Sequence, residues 1–401
     1  MNLIDTLHPP TVAPQATAPA GVSFSRGAPS VLAPARARGP RIGALALAHA
    51  PDTLSQEQVL DRLGLRGEEF AERIFARCGV QRRHLSLSPE LLATTLQGRT
   101  QLLEDELFGH AVAAVDALRL DPARIGTVLT GTLYSLGGPT LAHRLVDHYA
   151  MDPATDKYHV LGVGCASAVP LLRLATQSLP GHPGRHTLVV AAESMSGLLT
   201  RSRPGDTRAK VIGSAIFGDG CAAAVLEDGA GEPGEGGGPL GEGAGRHGEC
   251  RASGAAAGPT IVASKVHQIG GTLGAVRMAL AADDSYLHLD RDLPDKAVAG
   301  LAPLVEDFLA GAGASRAEID HWIVHPGGRR IVESARDALA LRDEQVAVSW
   351  DVLANYGNVG TPSIFYVLAK LIERRAPQPG ERGLMVTIGP GITVGLMLLQ
   401  W

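Results

Sequence analysis

The stretch "KYHVLGVGCASAVPLLRLATQSL", residues 157–179, decides how the chain is read. Its first half is an apolar run of strand length that ends in Gly162-Val163-Gly164. Its second half opens on the small residues Ala166, Ser167 and Ala168 and continues through Leu171, Leu172, Leu174 and Ala175 at helical spacing. Cys165 stands at the turn between them. A free cysteine is commonly inert packing. At the start of a helix, however, unpaired backbone N–H groups and the helix dipole favour the thiolate and lower the thiol pKa. That position makes Cys165 a candidate nucleophile.

The same alternation extends to both sides. Strand-like runs "RIGALALAH" (41–49), "IGTVLTGTL" (125–133) and "TLVVAAES" (187–194) are separated by helix-like stretches, the longest over 88–118. Strand-like "TIVASKV" (260–266), "YLHLD" (286–290), "IDHWIVH" (319–325), "GLMVTIG" (383–389) and "ITVGLMLL" (392–399) follow, with helices expected over Asp295 to Ala310 and Arg329 to Leu341. This is an α/β pattern, and it occurs twice. Residues 1–40, dense in Pro and Ala, read as a flexible tail, and the glycine-rich 229–258 as an exposed insertion. They leave two halves, 41–228 and 259–401.

With 401 residues, 45% of them hydrophobic, the chain is long enough to bury a full core. A net charge of −5 gives no electrostatic reason to bind nucleic acid or an anionic membrane. No apolar run reaches the ~18 residues of a membrane span, and no signal peptide is visible, which points to the cytoplasm. The four cysteines, Cys78, Cys165, Cys221 and Cys250, are scattered without a C-x-x-C pair, so neither a disulfide framework nor a metal site is expected. Cys78, Cys221 and Cys250 read as structural or exposed thiols.

A nucleophile needs partners. In "IDHWIVHPGGRR" (319–330) the apolar Trp322, Ile323 and Val324 run into His325, which would project from a strand end. In "DVLANYGNVGTPSIFYVLAKLIERR" (351–375) Asn358 lies in a glycine-bracketed loop before an apolar helix. Taken singly, a histidine there is a satisfied polar residue and an asparagine a turn residue or helix cap.

The blocks "GVGCASA", "HPGGRRIVESARDAL", "NYGNVGTPSIFYVL" and "IGPGITVGLML" resemble, in order, those of type III polyketide synthases, the chalcone-synthase-like branch of the thiolase fold. The resemblance spans residues 41 to 401 around the insertion. It implies a five-layer α-β-α-β-α fold built from two similar halves and a homodimer. It also implies a Cys165-His325-Asn358 triad that uses coenzyme A thioesters without any other cofactor. Cys165 would take an acyl group from acyl-CoA, with His325 as its imidazolium partner. His325 and Asn358 would then donate hydrogen bonds while malonyl-CoA loses carbon dioxide and the fragments join by Claisen condensation.

Further positions follow from the resemblance. In "AIFGDGCAAAVLED" (215–228) Phe217 falls on a gating phenylalanine of the family. The second gating position holds Leu287, a small polar position holds Leu198 and a pocket glycine is replaced by Met278. The substrate loop is kept as Thr387-Ile388-Gly389-Pro390-Gly391. Leucine and methionine walls lack the flat face that a planar starter stacks on, so an aliphatic starter is expected. The family's phosphate-greeting lysines have no clear match. Arg73, Arg77, Arg82 and Arg83 are the substitutes, and failing them an acyl carrier protein delivers the acyl group. Three other readings stay open: a ketoacyl synthase III-like single-condensation enzyme, a Cys-dependent acyltransferase and a non-catalytic partner subunit.

Overall fold

In the strand His186–Glu193, Val189 and Ala191 face one side and Leu188, Val190 and Ala192 the other, and both sets are buried. A strand that is apolar on both faces has to be covered on both, which places it inside a layered α/β architecture. The computed structural model describes residues 39–133, 135, 137–203, 206–229, 250–252, 258–280, 285–290 and 292–401.

The N-terminal strands run in the order Asp156–Leu161, Ile125–Thr132, His186–Glu193, Gly220–Glu227, Arg41–Ala48. The first three are mutually parallel, and the last two pair antiparallel. The C-terminal strands repeat the scheme as His321–Val324, Arg382–Gly389, Thr393–Gln400, Thr260–Gln268, with the same change from parallel to antiparallel pairing. The two sets meet where Arg41 stands opposite Thr260.

Helices Ala168–Ser178 and Ser363–Arg375 fill the space between the two sheets, against Leu47, Leu129, Val189 and Ala224 on one side and Ile323, Met385, Met397 and Leu399 on the other. Helices Leu96–Leu118 and Leu141–His148 cover the outer face of the first sheet; Leu301–Gly311 and Arg329–Ala338 cover that of the second. The result is the five-layer arrangement of the thiolase-like fold. A fully buried Leu or Phe contributes about 1.5–3 kcal/mol, so this central layer, which follows the Cys165 turn, is firmly held between both sheets.

Several expectations change. The helical stretch over 88–118 is two helices, Pro89–Ala93 and Leu96–Leu118, because the Thr95 hydroxyl accepts from the Gly98 N–H and starts a new helix. That from Asp295 to Ala310 is likewise two, Leu293–Val298 and Leu301–Gly311. Of the glycine-rich insertion, Cys250–Ala252 is a strand that pairs with Leu45–Leu47, which satisfies backbone groups beyond the Arg41–Thr260 contact. The rest of the insertion, apart from residues 229 and 258, and residues 1–38 of the tail lie outside the described residues. Among the described residues no helix is long and apolar enough to cross a membrane, and no group of three His, Cys, Asp or Glu could hold a metal ion.

Candidate active site

The strand Asp156–Leu161 ends in a turn through Gly162 and Gly164, at φ 76° and 63°, values that favour glycine. Cys165 lies in a single 3₁₀ turn, Gly164–Ala166, and the α-helix proper begins at Ala168. The thiol therefore precedes the helix instead of capping it. A loop of the C-terminal half closes over this turn. A β-carbon at Gly389 would stand 2.5 Å from the Ala166 nitrogen, and one at Gly164 2.9 Å from Cδ of Pro390. The Gly389-Pro390-Gly391 loop thus packs directly on the turn that carries the cysteine.

His325 follows the strand His321–Val324 and extends its pairing by one bond, from its N–H to the Val386 carbonyl at 2.9 Å. Its side chain is 1% exposed, and neither ring nitrogen has a hydrogen-bond partner among the described residues. Desolvation lowers its pKa to about 3, so the resting ring is neutral, where an imidazolium was expected. An unpaired buried nitrogen costs on the order of 1–3 kcal/mol, and a partner that arrives with a ligand removes that cost.

Asn358 is placed by backbone and side chain together. Its N–H donates to the Ile216 carbonyl at 2.7 Å, and its carbonyl accepts from the Gly218 N–H at 3.1 Å, so it pairs with Phe217 as an isolated bridge. Its Oδ1 accepts from the Gly360 N–H at 2.9 Å and from the Ser363 hydroxyl at 3.3 Å. Nδ2 faces the Gly327 carbonyl at 3.4 Å, and the Cys165 sulfur lies against the amide, 3.8 Å from Nδ2 and 3.7 Å from Oδ1. A β-carbon at Gly327 would stand 3.1 Å from Cδ2 of His325, so Gly327 lies between the imidazole and the amide. The fold thus sets Cys165 against the Asn358 amide, and Gly327 joins that amide to His325.

Burial drives the Cys165 thiol pKa upward, with a hydrogen bond from Asn358 acting against it and the charge of Glu193 adding to it. This reverses the lowering expected from a helix N-terminus: the thiol retains only partial exposure, and desolvation outweighs the dipole. Cys78 and Cys221 are buried away from this chemistry.

Beside the cleft, Leu133, Met195, Leu198 and Phe217 form an apolar cluster. Leu287 adjoins it, since a β-carbon at Gly213 would meet both Cδ2 of Leu287, at 2.8 Å, and Cε2 of Phe217, at 3.1 Å. Met278 stands directly opposite Leu287 in the hairpin Val276–Leu280 and Ser285–Leu289.

Of the four arginines, Arg83 cannot greet a phosphate. It is fully buried and donates from Nη1 to the Phe217 carbonyl at 2.8 Å, beneath the Phe217–Asn358 bridge. Arg82 is tied to Asn355 Oδ1 at 3.0 Å, Arg73 is paired with Glu69 at 3.2 Å, and Arg77 is exposed. Asp219, which the sequence offers as a turn residue between Gly218 and Gly220, does more than shape a turn. Its buried carboxylate accepts from the Ser196 N–H at 2.8 Å, the Ser196 hydroxyl at 2.5 Å and the Ser86 N–H at 2.9 Å. It thereby fixes the turn that carries Leu198. The available signal was a charge in "FGDGC", two residues after Phe217, in an otherwise apolar run.

Residues 260–401 match the family described as chalcone and stilbene synthases, C-terminal domain, and residues 48–234 the one described as FAE1/type III polyketide synthase-like protein. The chain is 29% identical over 381 residues to a 1,3,6,8-tetrahydroxynaphthalene synthase from Streptomyces peucetius subsp. caesius, covering 91% of this chain and 94% of that one. It is 27% identical to the alpha-pyrone synthesis polyketide synthase-like Pks18 of Mycobacterium tuberculosis, over 83% of this chain and 82% of that one. The crystal structure of PKS-I from the brown alga Ectocarpus siliculosus superposes with a TM-score of 0.78 at 24% identity, over 91% of this chain and 99% of that one. The chain belongs to the chalcone-synthase-like type III polyketide synthases, which are condensing enzymes.

Proposed function

We propose that the enzyme loads an aliphatic acyl group from its CoA thioester onto Cys165 and extends it with malonyl-CoA by decarboxylative Claisen condensation. The reading rests above all on the contact between the Asn358 amide and the Cys165 sulfur, which lies 3.8 Å from Nδ2 and 3.7 Å from Oδ1. Both the imidazole and the thiol are neutral at rest. The Cys165 proton therefore leaves as the sulfur attacks the thioester carbonyl, His325 accepts it, and CoA departs as its thiol. In the second half-reaction the malonyl thioester oxygen sits between His325 and Asn358 Nδ2. As carbon dioxide leaves, negative charge develops on that oxygen and both groups donate to it. The resulting enolate carbon attacks the acyl carbonyl on Cys165 and releases the sulfur as a thiolate, which takes a proton from water to restore the resting thiol. No further cofactor takes part, and we place the reaction in the cytoplasm.

The starter class is supported by the cluster of Leu133, Met195, Leu198 and Phe217, with Leu287 beside it. Each buried methylene contributes about 0.8 kcal/mol, so kcat/KM for linear acyl-CoAs should rise several-fold per carbon until the pocket fills. Leu287→Phe shortens the pocket and shifts the optimum to shorter chains. Steady-state kinetics across a length series, with coumaroyl-CoA as the planar competitor, measures this; a flat profile or an aromatic preference in the native enzyme removes the assignment. For CoA delivery we favour the exposed Arg77, with Arg73 near it on the helix Glu69–Arg77, over an acyl carrier protein.

We also propose a homodimer. The strand Asp156–Leu161 closes one end of the sheet and, among the described residues, pairs on one side only. It exposes Tyr158 at 50% and Leu161 at 39%, an open apolar edge that a second copy would cover. Sedimentation at micromolar concentration should return twice the chain mass, and Tyr158→Lys should shift it toward monomer. A monomer in the native protein contradicts the assignment.

A further inference from the structure

The two ends of the Asn358 carboxamide have nearly the same shape, but only the nitrogen can donate to an oxygen that gains negative charge. A half-turn of the amide would present an acceptor where the reaction needs a donor. The Cys165 sulfur does not choose between the two ends, since it lies 3.7 Å from Oδ1 and 3.8 Å from Nδ2. Other groups have to hold the amide.

Two donors meet its oxygen. The Gly360 N–H reaches Oδ1 at 2.9 Å and the Ser363 hydroxyl reaches it at 3.3 Å, while Nδ2 makes only a long bond to the Gly327 carbonyl, at 3.4 Å. The rotated amide would set Nδ2 against the Gly360 N–H and an oxygen against the Gly327 carbonyl. Both would be mismatches at a residue 4% exposed, where unpaired polar groups are costly. The Gly360 N–H therefore decides which end is the oxygen. One bond does not fix the plane of the amide, because the terminal torsion of asparagine is broad.

Ser363 supplies the second bond from a rigid place. It is the first residue of the helix Ser363–Arg375, is fully buried, and is followed by Ile364, Phe365 and Tyr366 in the central core. Its oxygen accepts from the Val359 N–H at 2.8 Å. The hydroxyl still has its proton to give, and among the described residues the acceptor it meets is Asn358 Oδ1. One side chain thus ties both the backbone that follows Asn358 and the oxygen of its amide.

We propose that Ser363 is a positioning residue for the condensation: it donates to Oδ1 while it accepts from the Val359 N–H, and so keeps the Asn358 nitrogen aimed at the substrate oxygen. The inference rests on Asn358 as a donor in decarboxylation. Ser363 itself makes no contact with the substrate.

The test measures carbon dioxide release from malonyl-CoA by the full-length enzyme, as native protein, Ser363→Ala, Ser363→Thr, Asn358→Ala and the double variant of Ser363→Ala with Asn358→Ala. Rates are expressed per chain that takes an acyl group from acyl-CoA in the intact-protein mass spectrum, so unfolded chains drop out. Ser363→Ala should lower kcat for release about tenfold with KM for malonyl-CoA unchanged, because a swinging amide is seldom aligned with its target. Ser363→Thr keeps the hydroxyl and should stay within about twofold of native. In the Asn358→Ala background the same loss of the serine should change release by less than about twofold, since no amide is left to place. Ser363→Cys has nearly the same shape with a weak donor and acceptor, and it replaces the alanine variant if that one does not fold. Native release in Ser363→Ala overturns the proposal, and so does an equal loss with and without Asn358, which is what a merely structural serine would give. A failure of the Asn358 reading looks different: Asn358→Ala alone would then release carbon dioxide at the native rate, and the proposal would fall with the donor it serves.

Discussion

Cys165→Ala eliminates condensation, with kcat falling on the order of 10⁴-fold or more, and the acyl adduct disappears from the intact-protein mass spectrum. The size of the effect follows from the role: without the sulfur there is no covalent intermediate, and neither Cys78 nor Cys221, both buried elsewhere, can replace it. Stability should move little, because the thiol is partly exposed and makes only weak contacts with the Asn358 amide, at 3.7 and 3.8 Å. A normal thermal midpoint together with lost acylation is thus the expected pair of results. Acylation that persists in the alanine variant places the nucleophile elsewhere. Malonyl-CoA decarboxylation is a separate readout, and it should survive in part, since its hydrogen-bond donors are intact.

The second large effect concerns those donors. Asn358→Asp keeps an oxygen for the Gly360 N–H and the Ser363 hydroxyl but replaces the nitrogen that faces the cleft with a second oxygen. It should depress carbon dioxide release from malonyl-CoA by about 10²–10³-fold, the usual cost of one missing donor to a developing oxyanion. His325→Gln should cost a similar factor, and the two losses should not add, because both groups serve one oxygen. Release that is unchanged in both variants removes them from the decarboxylation step. The pH profile gives an independent check. With its pKa lowered to about 3, His325 is neutral throughout the range from pH 5 to 9 and contributes no inflection there.

The three candidate segments are legible because each joins a local pattern to a small-residue turn: "GVGCASA" at a strand-to-helix turn, "IVHPGG" at a strand end, "NYGNVG" before an apolar helix. Their order along the chain carried the family resemblance. The arginines were not legible in the same way. "QRRH" presents Arg82 and Arg83 side by side, yet successive residues of a strand point to opposite faces, so one is exposed and the other fully buried. Nothing in the local sequence says which face meets the body of the protein.

Glu193 shows the same limit. In "VVAAES" a glutamate that ends an apolar strand reads as the charge that marks its exit to solvent. It is buried because Thr132, Thr361 and Leu133, which are distant in sequence, converge on it. The sign of the Cys165 pKa shift was misjudged for a related reason. A helix dipole can be inferred from local sequence, whereas desolvation depends on which segments close over the thiol, here the Gly389-Pro390 loop from the other half of the chain.

By itself, then, the sequence determined the succession of strands and helices, the presence of two α/β halves and the identity of the residues able to do the chemistry, because periodicity and turn propensity act over a few residues. Tertiary structure alone decided which charges are buried, which way the Asn358 amide points and whether the thiol and imidazole rest as a neutral pair. Those properties depend on contacts between segments far apart in the chain, and on the loss of water that such contacts impose.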